Sequence, residues 1–311
     1  WETVFENVTQ NTSIVIAEPD GETYDYTVKV RFVKRSEDFP VCKHFEVSFS
    51  NLLYETGDID VLIIPEALGV LGLLNRMERL PRFSSLGFGI HTGEIQMDLY
   101  ASHLITKPNK GYYSLIRGRD VDRYFVNLNE DRPGAKWFDN YAGFNRGKFA
   151  NKERVVILRR SNPYQERRLK AALINPDKES YLFCENVVNF IPPSESVYSL
   201  YFLLGLLNSR LLNWNFKLLS SNVQINAYQL KNLAVPSLDF SDPADVARHD
   251  KMVALVEEML ELHKRLAAAK SDADKQRLQR AIAATDRKID ALVYVLYGLT
   301  EEEIRVVETG K

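Results

Sequence analysis

A run of about 18 apolar residues, the length needed to cross a bilayer, does not occur in this chain. The nearest approach, Tyr198–Leu207, is cut by Asn208, Ser209 and Arg210, so no membrane-spanning helix is expected. Cysteine is almost absent. Cys42 and Cys184, alone among 311 residues, cannot build a disulfide framework or a zinc site, and a reducing, cytoplasmic home is the simple expectation. The histidines at 44, 91, 103, 249 and 263 lack metal-ligand spacing. Neither a GxxxxGK phosphate loop nor GxGxxG occurs, and Gly87-Phe88-Gly89 follows no clear strand and lacks a third glycine. No GxSxG nucleophile elbow is present. Asn7-Val8-Thr9 and Asn11-Thr12-Ser13 fit the glycosylation pattern, but no secretory signal precedes them, so they read as chance matches. With Trp1-Glu2-Thr3 in place of an initiator Met, the chain reads as a piece of a longer protein. No cofactor is expected within it.

Net charge is scarce as well: 40 Lys plus Arg against 42 Asp plus Glu leave −2, which at first argues against a polyanionic partner. Counting by segment reverses that. Residues 1–100 carry 8 basic and 16 acidic side chains, whereas residues 101–170 carry 16 basic and 7 acidic, a balance of +9. Residues 171–240 and 241–311 sit at −1 and −2. One strongly basic block lies between acidic or neutral ones, a pattern that points to an anionic partner.

The chain predicts an α+β fold. Thr12–Ala17 and Tyr24–Lys34 read as strands, with Pro19-Asp20-Gly21 as the turn of a hairpin. Phe45–Leu53 alternates like a third strand, and Leu68, Leu71, Leu74 and Met77 predict a helix over 65–80 that Pro81 ends. The basic block predicts short strands at His103–Lys107, Tyr112–Arg117, Tyr124–Leu128 and Arg154–Arg160, and a further strand over Tyr181–Asn189. A single buried helix is expected over 197–219, capped by Ser194 or Ser196, then a short strand or loop to Leu233. Met252, Leu255, Met259, Leu262 and Leu266, then Leu278, Ile282, Thr285, Ile289, Leu292 and Leu296, predict a long antiparallel helical hairpin turning at Lys270-Ser271-Asp272. Three heptads per arm are marginal alone, so the hairpin is expected to dock on its own globular part or on another partner.

Two clusters carry chemistry. Arg117-Gly118-Arg119-Asp120-Val121-Asp122-Arg123 sets three guanidiniums around a glycine. A guanidinium fork suits phosphate and guanine, and Gly118 permits close approach or positive φ. The other reading is an internal turn in which Asp120 or Asp122 pairs with the arginines. From Trp137 to Arg168, aromatics (Trp137, Phe138, Tyr141, Phe144, Phe149, Tyr164) interleave with Arg146, Lys148, Lys152, Arg154, Arg159, Arg160, Arg167 and Arg168. The aromatics read first as core, but nearby acids do not balance the cations. The polar turn around Thr92 and the loop holding Gln224 and Asn226 read as surface turns that could also meet base edges.

The segments FGIHTGE (88–94), SLIRGRDVDRYFVN (114–127), NKERVVILRR (151–160), YFLLGLLNSRLLNWNFK (201–217), INAYQLKNLAVPSL (225–238) and DRKIDALVYVLYGLTEEEIRVVE (286–308) together resemble the TaqI-like C-terminal specificity domain. That domain belongs to type IIG restriction–modification enzymes and related adenine-N6 DNA methyltransferases. VFENVTQNTSIVIAE (4–18) resembles the last hairpin of the methyltransferase sheet before it. The resemblance implies the end of a methyltransferase domain over 1–36, a target-recognition domain over 37–240, and a helical hairpin with a C-terminal tail over 241–311.

The resemblance also implies double-stranded DNA as partner and the enzyme's own N-terminal methyltransferase domain as neighbour. It implies S-adenosylmethionine as the parent enzyme's cofactor. The glycine loop that binds it and the Asn/Asp-Pro-Pro-Tyr/Phe motif that holds a flipped adenine are both missing here. Asn162-Pro163-Tyr164 reads as a loop, and no PDxExK nuclease motif occurs. The expected DNA-binding residues are Arg117, Arg119, Arg123, Lys148, Lys152, Arg159 and Arg160, with Thr92, Gln224 and Asn226 as base readers. The rival expectation is a protein-interaction module that works through the hairpin without touching DNA.

Overall fold

The computed structural model describes residues 69–309, apart from 108, 130, 140–143, 177–181, 194–195 and 221, together with four short strands nearer the N-terminus. It is an α+β protein. Strands β1 (Thr27–Arg31) and β2 (His44–Ser48) pair antiparallel, as do β3 (Leu53–Glu55) and β4 (Asp60–Leu62). β1 falls in the expected second strand of the opening hairpin, while Thr12–Ala17 lies outside the described residues. The β1–β2 pair joins chain from both sides of residue 36, where a boundary was expected.

Two four-stranded sheets form the centre. The strands, in chain order, are β5 (Gly89–Thr92), β6 (Leu104–Ile105), β7 (Tyr112–Arg117), the small ribbon β8 (Val121–Asp122) and β9 (Phe125–Val126), β10 (Trp137–Asp139), β11 (Arg154–Leu158), β12 (Ala171–Ile174), β13 (Leu182–Glu185) and β14 (Val187–Ile191). One sheet runs β13–β7–β10–β6, with β13 parallel to β7; the other runs β12–β11–β14–β5, antiparallel throughout. The strand period of two sorts the side chains. On β11, Val155 and Ile157 face the helices and Val156 faces the other sheet; on β7, Leu115 and Ile116 enter different cores. Phe138, Phe144 and Phe183 stack edge-on over the outer face of the first sheet, so Phe138 and Phe144 of the basic block belong to the core, as their first reading held.

The expected strand over 181–189 is in fact two strands in different sheets. Asn186, at φ 55°, makes the break, a left-handed conformation that asparagine tolerates better than most residues.

Helices cover the second sheet: α1 (Gly69–Glu78), α2 (Leu200–Asn208), α3 (Arg210–Leu219), α4 (Ala227–Lys231), α5 (Pro243–Ala268), α6 (Asp272–Leu296) and α7 (Glu301–Thr309). The single helix expected over 197–219 is split. Ser209, at ψ 157°, ends α2 and caps α3, its Oγ donating to Leu206 O at 2.7 Å and accepting from Leu212 N at 3.3 Å. The cap of α2 is Ser199, not Ser194 or Ser196. The break serves β12, an edge strand of its sheet. Asn208 accepts from Ala171 N at 3.0 Å and donates to Ala171 O at 2.9 Å, and Asn213 accepts from Leu169 N at 2.7 Å. Two buried amides thus supply the hydrogen bonds of a missing strand. The segment before Leu233 holds the short helix α4 in place of a strand or plain loop.

The hairpin forms as expected, with Asp242 and Ser271 capping α5 and α6. It docks on its own globular part. Met252, Val256, Met259, Ile289 and Val293 share one core with Leu203, Leu207, Val188 and Phe190. A Cβ on Gly205 of α2 would lie 2.6 Å from Met252 Sδ, so glycine sets the close approach of α2 and α5.

Candidate nucleic-acid interface

At one end of the two sheets, four stretches of backbone meet. Gly93 N donates to Val187 O at 2.9 Å and Arg159 N to Asn186 O at 3.1 Å. A Cβ on Gly118 would stand 2.7 Å from Asn186 O. Gly118 is therefore needed for close approach to the chain's own backbone, and its φ is not positive. Beyond β11 the chain pairs with the loop before α4: Ile225 N donates to Arg159 O at 2.7 Å and Ser161 N to Val223 O at 3.0 Å. These bonds gather Thr92, Arg117, Arg119, Arg159, Arg160 and Gln224 at one corner.

Their side chains differ in freedom. Arg119, Arg160, Thr92 and Gln224 are exposed. Arg117 forms an ion pair with Glu185, Nε to Oε2 at 3.6 Å, and burial pushes the Glu185 carboxyl up against the downward pull of Arg117 and Arg119. Arg159 is bonded to Gln224, whose amide oxygen, turned toward the guanidinium, accepts from Nε at 2.9 Å. Asn226 caps α4 in a reciprocal box with Gln229, whose Oε1 accepts from Asn226 N at 2.9 Å; its amide is occupied within the fold. Arg160, Ser161, Asn162, Pro163, Tyr164 and Val223 line an open pocket of about 420 Å³. Asn162-Pro163-Tyr164 is a turn there, with Asn162 Oδ1 accepting from Tyr164 N at 2.9 Å, and the Tyr164 residue is 62 % exposed.

Arg123 is placed elsewhere. Its Nη1 donates to Asp286 Oδ2 at 3.1 Å, its Nη2 to Asp286 Oδ1 and, at 3.0 Å, to Asn208 O. Arg167 joins it, donating to Asp290 at 2.9 Å, to Asp286 at 3.3 Å and to Asn208 O at 2.8 Å. Of the arginines around Gly118, Arg123 follows the internal reading, though its acid comes from the hairpin rather than from Asp120 or Asp122. Asp120 instead binds the Arg117 amide at 2.9 Å and buried Arg132 at 3.3 Å. Arg168 donates to Ser220 O and Asn222 O.

Buried Arg154 donates to Phe149 O and Lys152 O, each at 3.0 Å, and to Leu182 O at 2.6 Å, and lies 3.5 Å from Glu94. The premise that acids leave the basic block unbalanced needs correction. Much of its charge is balanced inside the fold, by acids and carbonyls distant in sequence. The side chains of Arg119, Lys148, Lys152 and Arg160 remain exposed and in none of the ion pairs among the described residues.

Arg154 also fixes the turn that presents Lys148 and Lys152. There Lys148 Nζ lies 4.6 Å from the Phe149 ring centroid, and His91 stacks on Phe149 at 5.2 Å. His91 and Lys231 are interface candidates that the sequence did not single out; only their positions beside the exposed cations identify them.

Residues 113–235 match the family model of the TaqI-like C-terminal specificity domain. The resemblance read from the sequence motifs is thereby borne out for this part of the chain. The match starts at β7, ends where Val235 N donates to Pro81 O at 2.8 Å, and includes Arg117, Arg119, Lys148, Lys152, Arg159, Arg160 and Gln224. A DNA-recognition role of the restriction–modification kind is what this specificity domain supports. No curated protein matches the chain. Among the described residues no helix is long and apolar enough to cross a membrane, and no three His, Cys, Asp or Glu side chains converge as a metal site.

Proposed function

We propose that this chain is the DNA target-recognition part of a type IIG-like restriction–modification enzyme or adenine-specific DNA methyltransferase. It holds a chosen duplex sequence in front of a catalytic domain elsewhere in the parent protein. The observation that carries the reading is the coincidence of the specificity-domain match with a corner of exposed cations. Arg119, Lys152 and Arg160 meet phosphates, and Gln224 with its Arg159 partner is placed to read base edges beside exposed Val223 and Tyr164. Arg123 and Asn226 serve the fold that presents them. The pocket at Arg160 is open, and none of its lining residues is a carboxylate able to hold the ribose hydroxyls of S-adenosylmethionine. The cofactor belongs to the parent's methyltransferase domain.

The hairpin's apolar seam is packed on its own specificity domain, so nothing favours the reading in which the hairpin is a free protein-binding surface. Fluorescence anisotropy with duplex DNA tests the proposal. Affinity is expected to fall linearly with salt on logarithmic axes, as counterion release requires. Arg119→Ala plus Arg160→Ala is expected to weaken it and lower the slope. No binding at 50 mM salt, where a protein holding three phosphates binds roughly 40-fold more tightly than at 200 mM, would refute it.

A further inference from the structure

We propose that His91, Lys148 and Lys231 form one phosphate-holding site at the β5 edge of the second sheet, which rests on the DNA-recognition reading above and adds a second anchoring point to it. Strand β5 ends that sheet, and α4, with Lys231 in its last turn, packs beside it. The turn at 147–149 brings Lys148 and Phe149 to the same place. The Phe149 ring holds both neighbours: His91 lies nearly parallel to it, 17° between planes, and the Lys148 ammonium sits 4.6 Å from its centroid. All three polar side chains are exposed, and neither lysine takes part in an ion pair among the described residues.

The charges around His91 come from every packed element. Lys148 comes from the turn and Lys231 from α4. Across β14 its register partner is uncharged Asn189, which accepts from Arg154 Nε at 3.1 Å. Arg154 in turn is matched by Glu94 at 3.5 Å. The two lysines are the charged groups whose field reaches the imidazole.

Burial and then the two lysines hold the His91 imidazole below its ordinary value. A phosphodiester seated between the lysines weakens that field, because its single negative charge beside the ring offsets part of the two ammonium charges. Binding then takes up a proton at pH values between the free and the phosphate-bound titration. DNA affinity rises as pH falls through that window, the direction required of a group whose pKa rises on binding. The phosphate of a DNA backbone and free inorganic phosphate share this chemistry, and only the former gains from the corner at Arg119 and Arg160.

Three measurements on the full 311-residue chain test this. In salt titrations with duplexes of differing sequence, Lys148→Gln plus Lys231→Gln is expected to reduce the slope by about one and to weaken all duplexes alike. In calorimetry with buffers of different ionisation heat, wild type is expected to take up protons on binding DNA near neutrality, and His91→Gln to abolish the uptake. In NMR, inorganic phosphate is expected to move the His91 ring resonances toward the protonated form, with circular dichroism unchanged in all variants. An unchanged salt slope in the double variant, or full proton uptake in His91→Gln, overturns the site while leaving DNA recognition standing. If the chain fails to bind DNA yet phosphate still moves the His91 resonances, the site stands and the DNA reading falls. If neither occurs, both fall.

Discussion

Asp290 of α6 is 5 % exposed at its side chain and joins three partners: Arg210 N at 2.7 Å, Arg167 Nη2 at 2.9 Å and Arg210 Nε at 3.4 Å. Replacing it with alanine strands the first amide of α3 and one donor of a nearly buried guanidinium. A broken buried ion pair costs about 3–5 kcal/mol, but Arg167 keeps Asp286 and Arg210 is a third exposed, which screens its share. The expected loss for Asp290→Ala is therefore about 2–3 kcal/mol, or a Tm lower by roughly 3–5 °C. Burial pushes this carboxyl up despite the pull of Arg167 and the Arg210 amide, so its charge is held at a cost. Asp290→Asn keeps the acceptor for Arg210 N and removes that cost; its loss should be about 1 kcal/mol. Urea melts of both variants give the comparison, with hydrogen exchange at the Arg210 amide as a local readout. Equal losses, or an alanine variant within about 0.5 kcal/mol of wild type, would show that this clamp does not hold the hairpin to the specificity domain.

Gly118→Ala should lower stability by about 1–3 kcal/mol, because its Cβ meets the Asn186 backbone carbonyl and the corner must shift; DNA affinity should fall with it, and a fully stable variant would contradict the close approach. Helix α7 should loosen in acid. Burial works against the Glu303 charge, but the Arg76 hydrogen bond at 2.6 Å and the Thr300 amide at 2.8 Å hold its carboxyl below the usual glutamate range. This contribution is complete above the unfolded glutamate value of about 4.3 and disappears as pH falls through the lower folded value. Protection factors in 301–309, with the intrinsic pH dependence of amide exchange removed, should fall over that acid range in wild type and hold steady in Glu303→Gln; identical profiles would refute it.

Local patterning made much of this fold readable. The short segments Tyr112–Arg117 and Arg154–Arg160, expected as strands, hold β7 and β11, and the heptad spacing and turn residues of 243–296 are the hairpin. The misreadings share one cause. The segment around Asn208-Ser209 is apolar on nearly every side, so its periodicity could not show that the helix breaks at Ser209 or that Asn208 and Asn213 bond an edge strand. Asn186 likewise carries no local mark of a strand passing between sheets. In the candidate interface, exposed Arg119, Lys148, Lys152 and Arg160 stand among residues expected from composition and motif. Arg123 could not be separated from them, since its partner Asp286 lies 163 residues away.

The sequence by itself determined the α+β class, the hairpin, the specificity-domain resemblance and the block of positive charge, because each is written in spacing or wording along the chain. Which of those charges face solvent was decided only by tertiary structure. An arginine's role depends on whether a carboxylate or a row of carbonyls reaches it in space, and here those acceptors come from α2, β13 and α6 among others. The same cations therefore divide into fasteners inside the fold and an exposed set at its surface.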